Sequence, residues 1–444
     1  MAGNSYFRDT LQMSEGARRF LTSEALYGIG IGLYTLVLNY YLLAMGLTEA
    51  KVGGIVSTGI LVMGGLAIPV SLLAGKAGRK PLLVSGVFAV AGGVALFASG
   101  SGEIRFYAAQ ILISMGLCCI ETTEVQLLFS YSRSRKEETR SFSLMFAVFT
   151  MFVGAGTLLG GMIPGWLSGS ADPEGAAAGY RAVLYCAAGT LAALGLLRAL
   201  WLPPERRGGR MTAANSEGGL TAQAAGSRQS AGSPATPQES GRGPKTFVWR
   251  KPSRTVWTLA CYTFISGISF AMIGGFLNVM VKHRTGWEDS AISLLLTANG
   301  ILLFIASLLT PWVLERFGTA KAFRWVYLGN ALLAFVLSMQ LPVAMFAMLL
   351  LMRGGGFTML SNMIDSQSMS ALHERDRNIY AGMRSVFRSV GSAGATYTAG
   401  LLLAGGRVEL PFAVTGVMLL LGYGYYYKFV QPLLQHKETG GHTA

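Results

Sequence analysis

Apolar residues gather in runs of about twenty, long enough as helix to cross the roughly 30 Å of hydrocarbon in a bilayer. Read with the Gly, Pro and Asn turn signals between them, these runs predict twelve transmembrane helices. They fall at 20–45, 52–74, 81–99, 104–130, 141–167 and 180–202, then at 255–281, 290–314, 322–340, 343–366, 379–404 and 411–430. Between the two groups of six lies 203–254, where Pro203, Pro204, Pro234 and Pro237 stand among Gly, Ser, Ala and Arg residues. That composition cannot bury a core and predicts a disordered linker. The expected fold is an all-α membrane protein of two six-helix bundles. Residues 1–202 form the first, 203–254 the linker, and 255–444 the second with a short tail.

The two groups repeat one another at a shift of 237 to 240 residues. Asn39, Gly46 and Glu49 recur as Asn278, Gly286 and Asp289, and Gly78 recurs as Gly318. Glu137, Arg140 and Gly154 recur as Glu374, Arg377 and Gly391. Matches in register, with the same order of helices, indicate duplication of a six-helix unit, an architecture that transporters use.

Composition agrees with a bilayer as the solvent: 52% of the 444 residues are hydrophobic and 13% charged, against about 25% charged in soluble domains. The net charge of +14 raises the question of nucleic acid, and the positions of the basic residues answer it. Of the 36, three (Arg353, Arg384 and Arg388) lie within apolar runs, and six (Lys51, Arg105, Arg181, Lys282, Arg284 and Arg407) lie on one side. The other 27, including Arg198 at a helix end, lie with the termini and the linker. By the positive-inside rule both termini are cytoplasmic, in a plasma membrane of bacterial inner-membrane type. Nucleic acid is not an expected partner, since no basic stripe interleaved with aromatics occurs in a soluble stretch. The first twenty residues are polar and the apolar run after them is too long for a signal-peptide core, so that helix is retained.

Little in the chain suits catalysis. Cys118, Cys119, Cys186 and Cys261 sit inside apolar runs without metal-ligand spacing, and His283, His373, His436 and His442 fall in loops or the tail. No cofactor or metal is expected, and a membrane-embedded transferase lacks its nucleophile or metal set.

Two segments carry a family resemblance. Ser71-Leu-Leu-Ala-Gly-Lys-Ala-Gly-Arg-Lys80, between the second and third helices, resembles the loop signature Gly-x-Leu-Ala-Asp-Arg-x-Gly-Arg-Arg of the major facilitator superfamily, and Leu314-Glu-Arg-Phe-Gly318 is a fainter copy. Gly78 permits a tight turn, while Arg79 and Lys80, with Lys76, hold the loop on an anionic leaflet. The signature's Asp is Gly75 here, though Glu315 and Arg316 keep charges in the second copy beside Gly318. In the fifth helix, Gly156-Thr-Leu-Leu-Gly160-Gly161 resembles a Gly-Pro-x-x-Gly-Gly element of export-type members, with Thr157 in place of Pro. Its small residues four apart also serve plain helix packing. The resemblance spans about residues 15 to 435 and implies a monomeric transporter of a small-molecule substrate, with helices one, four, seven and ten lining its cavity.

Polar residues at membrane depth are costly and mark function. On the first helix Glu24, Tyr27, Tyr34, Thr35 and Asn39 fall within an arc of about 140°, and on the fourth Gln110, Ser114, Glu121 and Glu124 within about 80°. Arg353, followed by three glycines, and Arg388 lie near the midplane; Asp365 is expected to cap a helix end, and Arg384 to snorkel. Substrate-binding candidates are therefore Arg353, Tyr27, Tyr34, Asn39, Asn278 and Arg388. Candidates for proton coupling are Glu121, Glu124 and Glu24, because a carboxylate in a low-dielectric cavity titrates nearer neutrality. Glu137 and Arg140, with Glu374 and Arg377, are expected to form salt bridges of a cytoplasmic gate. The expectation is a proton-coupled secondary transporter working by alternating access, with export favoured. Uptake of an anionic solute and a non-transporting receptor are the alternatives.

Overall fold

The computed structural model describes residues 13–100, 102–167, 173–205, 252–370, 372 and 374–434. The first six helices are α1 (Glu15–Ala44), α2 (Glu49–Ala77), α3 (Arg79–Ser99), α4 (Glu103–Tyr131), α5 (Arg135–Leu167) and α6 (Pro173–Trp201). The second group is α7 (Arg254–Gly274), α8 (Leu277–Thr285), α9 (Asp289–Phe317), α10 (Thr319–Leu337), α11 (Val343–Ser370), α12 (Glu374–Ala404) and α13 (Leu410–Tyr425). Among the described residues, ten helices are individually long and apolar enough to cross a membrane. The broken span α7–α8 includes one of the ten. The two spans outside that count are α12, which carries Arg384 and Arg388, and α13, which a π-helical turn at Tyr426–Val430 prolongs. The result is twelve spans.

The ends of the helices follow local chemistry. Ser14 opens α1 by accepting the Ala17 amide at 3.3 Å, satisfying a donor that the first turn leaves without a partner. Between α2 and α3 the chain reverses at Gly78 with φ 91°, a conformation that a side chain would strain. The equivalent turn between α9 and α10 is Gly318, φ 74°.

The seventh span is not the continuous helix expected over 255–281. It breaks at Gly275 and Phe276, and α8 starts afresh at Leu277. Hydropathy cannot register this break, because the liberated carbonyl of Gly275 is satisfied from another helix: Asn39 of α1 donates to it at 2.8 Å. The expected linker also begins later than composition suggested. Residues 203–205 are held by the Tyr131 hydroxyl on the Pro203 carbonyl at 2.8 Å and by Glu205 accepting the Arg79 amide at 2.9 Å. Residues 206–251, most of the expected linker, lie outside the described residues.

In the first bundle α1 packs between α5 and α6, and α4 lies against α2 and α3. In the second, α7 packs on α12 and α13, and α11 on α9 and α10. The bundles meet along α2 with α12 and α5 with α9. Outward faces are apolar, with Leu72, Met151, Leu200, Trp325 and Met348 all more than half exposed. A belt of that kind is what lipid contact requires.

Candidate functional site

The start of α1, the end of α6, the start of α7 and the end of α13 lie at one end of the bundles, called here the termini side; the opposite end is the far side. On the far side the bundles are joined by polar contacts. Asn39 donates to Asn278 at 3.0 Å, Asn278 donates to the Leu36 carbonyl at 2.8 Å, and the Tyr40 hydroxyl donates to the Asn278 carbonyl at 3.0 Å. Nearby, Asp289 accepts from Lys282 at 2.6 Å and from the Tyr180 hydroxyl at 2.5 Å, and Lys282 lies 4.6 Å from the centre of the Tyr40 ring. Asn39 and Asn278, expected to bind substrate, tie α1 to the broken seventh span in this structure. Their amides donate to backbone carbonyls, Asn39 to that of Gly275 at the break and Asn278 to that of Leu36.

Glycines let the backbones come this close. Gly53 of α2 lies against Gly400 of α12, with 3.2 Å between a Cβ built at Gly53 and the Gly400 Cα. In the fifth-helix element, Gly156 and Gly160 receive α1, while Gly161 faces Ser293 and the Asp289 carbonyl of α9 across the bundle interface. The element therefore packs helices, and its geometry carries no direction of transport.

Several intramembrane charges sit where the sequence did not place them. Glu24 does not face the space between the bundles. It is fully buried against Arg198 of α6, whose guanidinium donates to the carboxylate at 2.5 Å and to Ser23 at 3.1 Å. Arg198, read from sequence as an interfacial helix end, turns back into the bundle because Glu24 and the rings of Phe20 and Tyr27, at 5.0 and 5.4 Å, receive it. Tyr27, expected to bind substrate, packs on Arg198 and is also in contact with Phe149 at a centroid distance of 5.3 Å. Asp365 does not cap a helix end and Arg384 does not snorkel: both Arg384 and Arg388 of α12 bond Asp365 Oδ1 of α11, Arg388 at 2.7 Å. A carboxylate within reach holds these cations at depth, where an isolated charge would be too costly.

The loop signature also acts within one bundle. Arg79 pairs with Glu205 at 3.4 Å and Lys80 donates to the Leu202 carbonyl at 2.6 Å, tying the α2–α3 turn to the end of α6. Glu315 and Arg316, with Gly318, are exposed in the second copy. Glu137 accepts the backbone amides of Ser14 and Arg133, each at 2.7 Å. Burial raises its pKa, and these donors outweigh that and leave it below the ordinary glutamate value. It fastens the start of α1, so the gate salt bridge expected of it is replaced by backbone contacts. The side chains of Glu374 and Arg377 lie outside the described set.

What faces the middle of the molecule is a smaller group. Tyr34 of α1 donates to Gln110 of α4 at 3.3 Å. Glu121 and Glu124, each under 5% exposed, continue the α4 face of Gln110 and Ser114 toward the termini side. On α11, Arg353 lies about 15 Å from the far-side start of its helix, and Tyr34 lies about as far from the far-side end of α1. Arg353 is 5% exposed, and its Nε and Nη2 make no hydrogen bond. Its guanidinium lies 4.8 Å from the centre of the Phe357 ring, which meets Phe270 of α7 edge-on at 4.3 Å.

The three glycines after Arg353 do not leave an open pocket. Gly354 faces Asn299 of α9, Gly355 faces Ala306 of α9, and Gly356 faces Asn330 of α10. Asn299 and Asn330, whose side-chain oxygens accept no hydrogen bond, went unnoticed in the sequence. An amide inside an apolar run was the available signal. Among the described residues no group of three or more His, Cys, Asp or Glu side chains could hold a metal ion.

The sequence profile described as Major Facilitator Superfamily matches residues 20–395 and 259–442. The chain belongs to the major facilitator superfamily. It is thus a membrane transporter rather than an enzyme, of the class that moves solutes by alternating access between two bundles. Solved structures similar to this superfamily member include a bacterial homolog of the human lysosomal transporter Spinster in an inward-facing and occupied conformation, with TM-score 0.67 and 13% identity. That alignment covers 93% of this chain and 95% of the other. The nucleoside transporter NupG is also similar, with TM-score 0.66 and 11% identity over 94% of this chain and 100% of the other. At these identities the likeness is one of fold. No curated protein sequence matches the chain.

Proposed function

We propose that this superfamily member is a proton-coupled secondary transporter of the plasma membrane, with both termini cytoplasmic, that recognises an anionic group of its solute at Arg353. The observation that carries the reading is the state of that side chain: a buried guanidinium near mid-depth, beside aromatic rings, with two nitrogens awaiting acceptors. A buried donor without a partner costs about 1–3 kcal/mol, and more when charged. A carboxylate or phosphate accepting both Nε and Nη2 removes that cost through a bidentate contact. The monomer supplies both bundles. Glu121 and Glu124 are the coupling candidates, since Glu24 is committed to Arg198.

The test is ligand-induced thermal stabilisation of the purified protein across a panel of carboxylates and organophosphates, followed by flux of each hit in proteoliposomes with and without a proton gradient. Arg353→Lys keeps the charge and loses the planar fork, so it should weaken the hit at least tenfold at unchanged unliganded stability. Equal affinity in Arg353→Lys and Arg353→Ala would remove Arg353 from recognition. Binding without flux would favour the receptor reading. Glu121→Gln or Glu124→Gln should abolish gradient-driven accumulation while exchange persists, and full accumulation in both would place coupling elsewhere.

A further inference from the structure

The pair Arg384 and Arg388 with Asp365 is not explained by helix packing alone. Both guanidinium groups bond the same oxygen, Asp365 Oδ1, so the trio keeps one positive charge in excess. Arg388 is 8% exposed and its Nε makes no hydrogen bond, leaving part of its donor edge unused. A structural bridge between α11 and α12 needs one arginine. The second brings a buried charge that a further anion would neutralise.

The trio also faces the right way. On α12, Gly391 lies against Phe264 of α7, and Ser389 lies against Gly64 of α2. At about 100° per residue, Arg384 and Arg388 fall on the arc between those two contacts, toward the space enclosed by the bundles. Arg388 lies about 24 Å from the far-side end of α12, against about 15 Å for Arg353 on α11, so the pair stands nearer the termini side. Glu121 and Glu124 stand about 27 and 31 Å along α4, at a comparable depth.

We propose that Arg384 and Arg388 form a second anion site, filled in this state by Asp365, and that a carboxylate- or phosphate-bearing solute displaces Asp365 in passing between Arg353 and the termini side. The proposal rests on the reading that the space between the bundles is the solute path. Asp365 acts as a resident competitor. It neutralises one arginine while the site is empty, and exchanging one carboxylate for another anion avoids exposing two bare guanidinium groups to a low dielectric. The site accepts a tetrahedral or planar oxyanion, because two guanidinium forks offer more donors than one carboxylate oxygen uses.

The experiment measures thermal stability of the purified full chain in detergent against inorganic phosphate, with ionic strength held constant by sodium chloride. Asp365→Asn removes the competitor and should lower the half-saturating phosphate concentration at least tenfold. That gain should persist in the Asp365→Asn, Arg353→Lys double variant, which separates this site from the one proposed at Arg353. An unchanged half-saturating concentration in Asp365→Asn would overturn the proposal. Should Asp365→Asn fail to fold without phosphate, Arg388→Lys is read instead: a tenfold rise supports the site and no change overturns it. A parallel arm compares nanodiscs of phosphatidylglycerol and phosphatidylcholine without phosphate. Stabilisation of Asp365→Asn by phosphatidylglycerol alone, with no response to phosphate, would assign the arginines to a lipid headgroup and overturn the solute site.

Discussion

The Glu24–Arg198 pair gives the sharpest structural prediction. Both side chains are fully buried and the guanidinium touches the carboxylate at 2.5 Å. At charge separations near 4 Å and an effective dielectric constant of about 20, the attraction is about 4 kcal/mol. Removing one member of a buried pair leaves the other uncompensated and costs about 3–5 kcal/mol. For a bundle of this size that corresponds to a fall in midpoint temperature on the order of 10 °C. Glu24→Gln and Arg198→Met should each show it, by size-exclusion chromatography of detergent-solubilised protein after heating. The double variant Glu24→Leu, Arg198→Met replaces the pair with apolar side chains and should recover most of the loss, because neither charge then remains to be solvated. A wild-type midpoint in Glu24→Gln, or a double variant as unstable as the singles, would refute the reasoning. The first result would also return Glu24 to the list of residues whose charge serves transport.

Other predictions concern the far-side contacts and the termini side. Gly161→Val should drive α5 away from Ser293 and Asp289 of α9, widening spin-label distances across the far side by several ångströms on the scale of a side chain; an unchanged distribution would contradict the packing account. Asn39→Ala takes the side-chain donor from the Gly275 carbonyl and one of the two donors from Asn278 Oδ1 and should cost about 1–3 kcal/mol in thermal stability, whereas Asn39→Asp, which cannot donate to that carbonyl, should be no better. Glu137 has a folded pKa below its unfolded value, so its contribution is complete above the ordinary glutamate range and is lost as pH falls through the folded pKa. Hydrogen exchange of the first turn of α1 should therefore quicken at acid pH in the wild type and lack that step in Glu137→Gln.

Much of the architecture was legible because a bilayer imposes one length on every apolar run. The twelve spans, the turns at Gly78 and Gly318 and the repeat relating Asn39 to Asn278 all follow from local rules that sequence carries directly. The failures share a cause: hydropathy gives depth but not direction around the helix, nor the partner. Glu24 and Arg198 were each placed on the correct helix, yet their meeting depends on how α1 turns against α6. Asp365 and Arg384 were assigned to interfaces because the cost of burying each was weighed singly, whereas a shared oxygen keeps them at depth. The break at Gly275 was invisible because the residue that satisfies it lies 236 positions away. Arg353 was legible from its depth alone, but the packing of its three glycines was not, since a glycine run reads the same whether it leaves room for a ligand or for Asn299.

The central claim is that the space beside Arg353 opens to one side of the membrane at a time. Thiol labelling of Phe357→Cys, with Cys118, Cys119, Cys186 and Cys261 replaced by alanine, tests it most directly in oriented vesicles. In the unlocked protein an impermeant reagent should label from either side. With Asn39→Cys and Asn278→Cys joined by a short crosslinker before labelling, reaction from the far side should be lost while reaction from the termini side continues. Persistent labelling from the far side with the lock in place would contradict alternating access around this site.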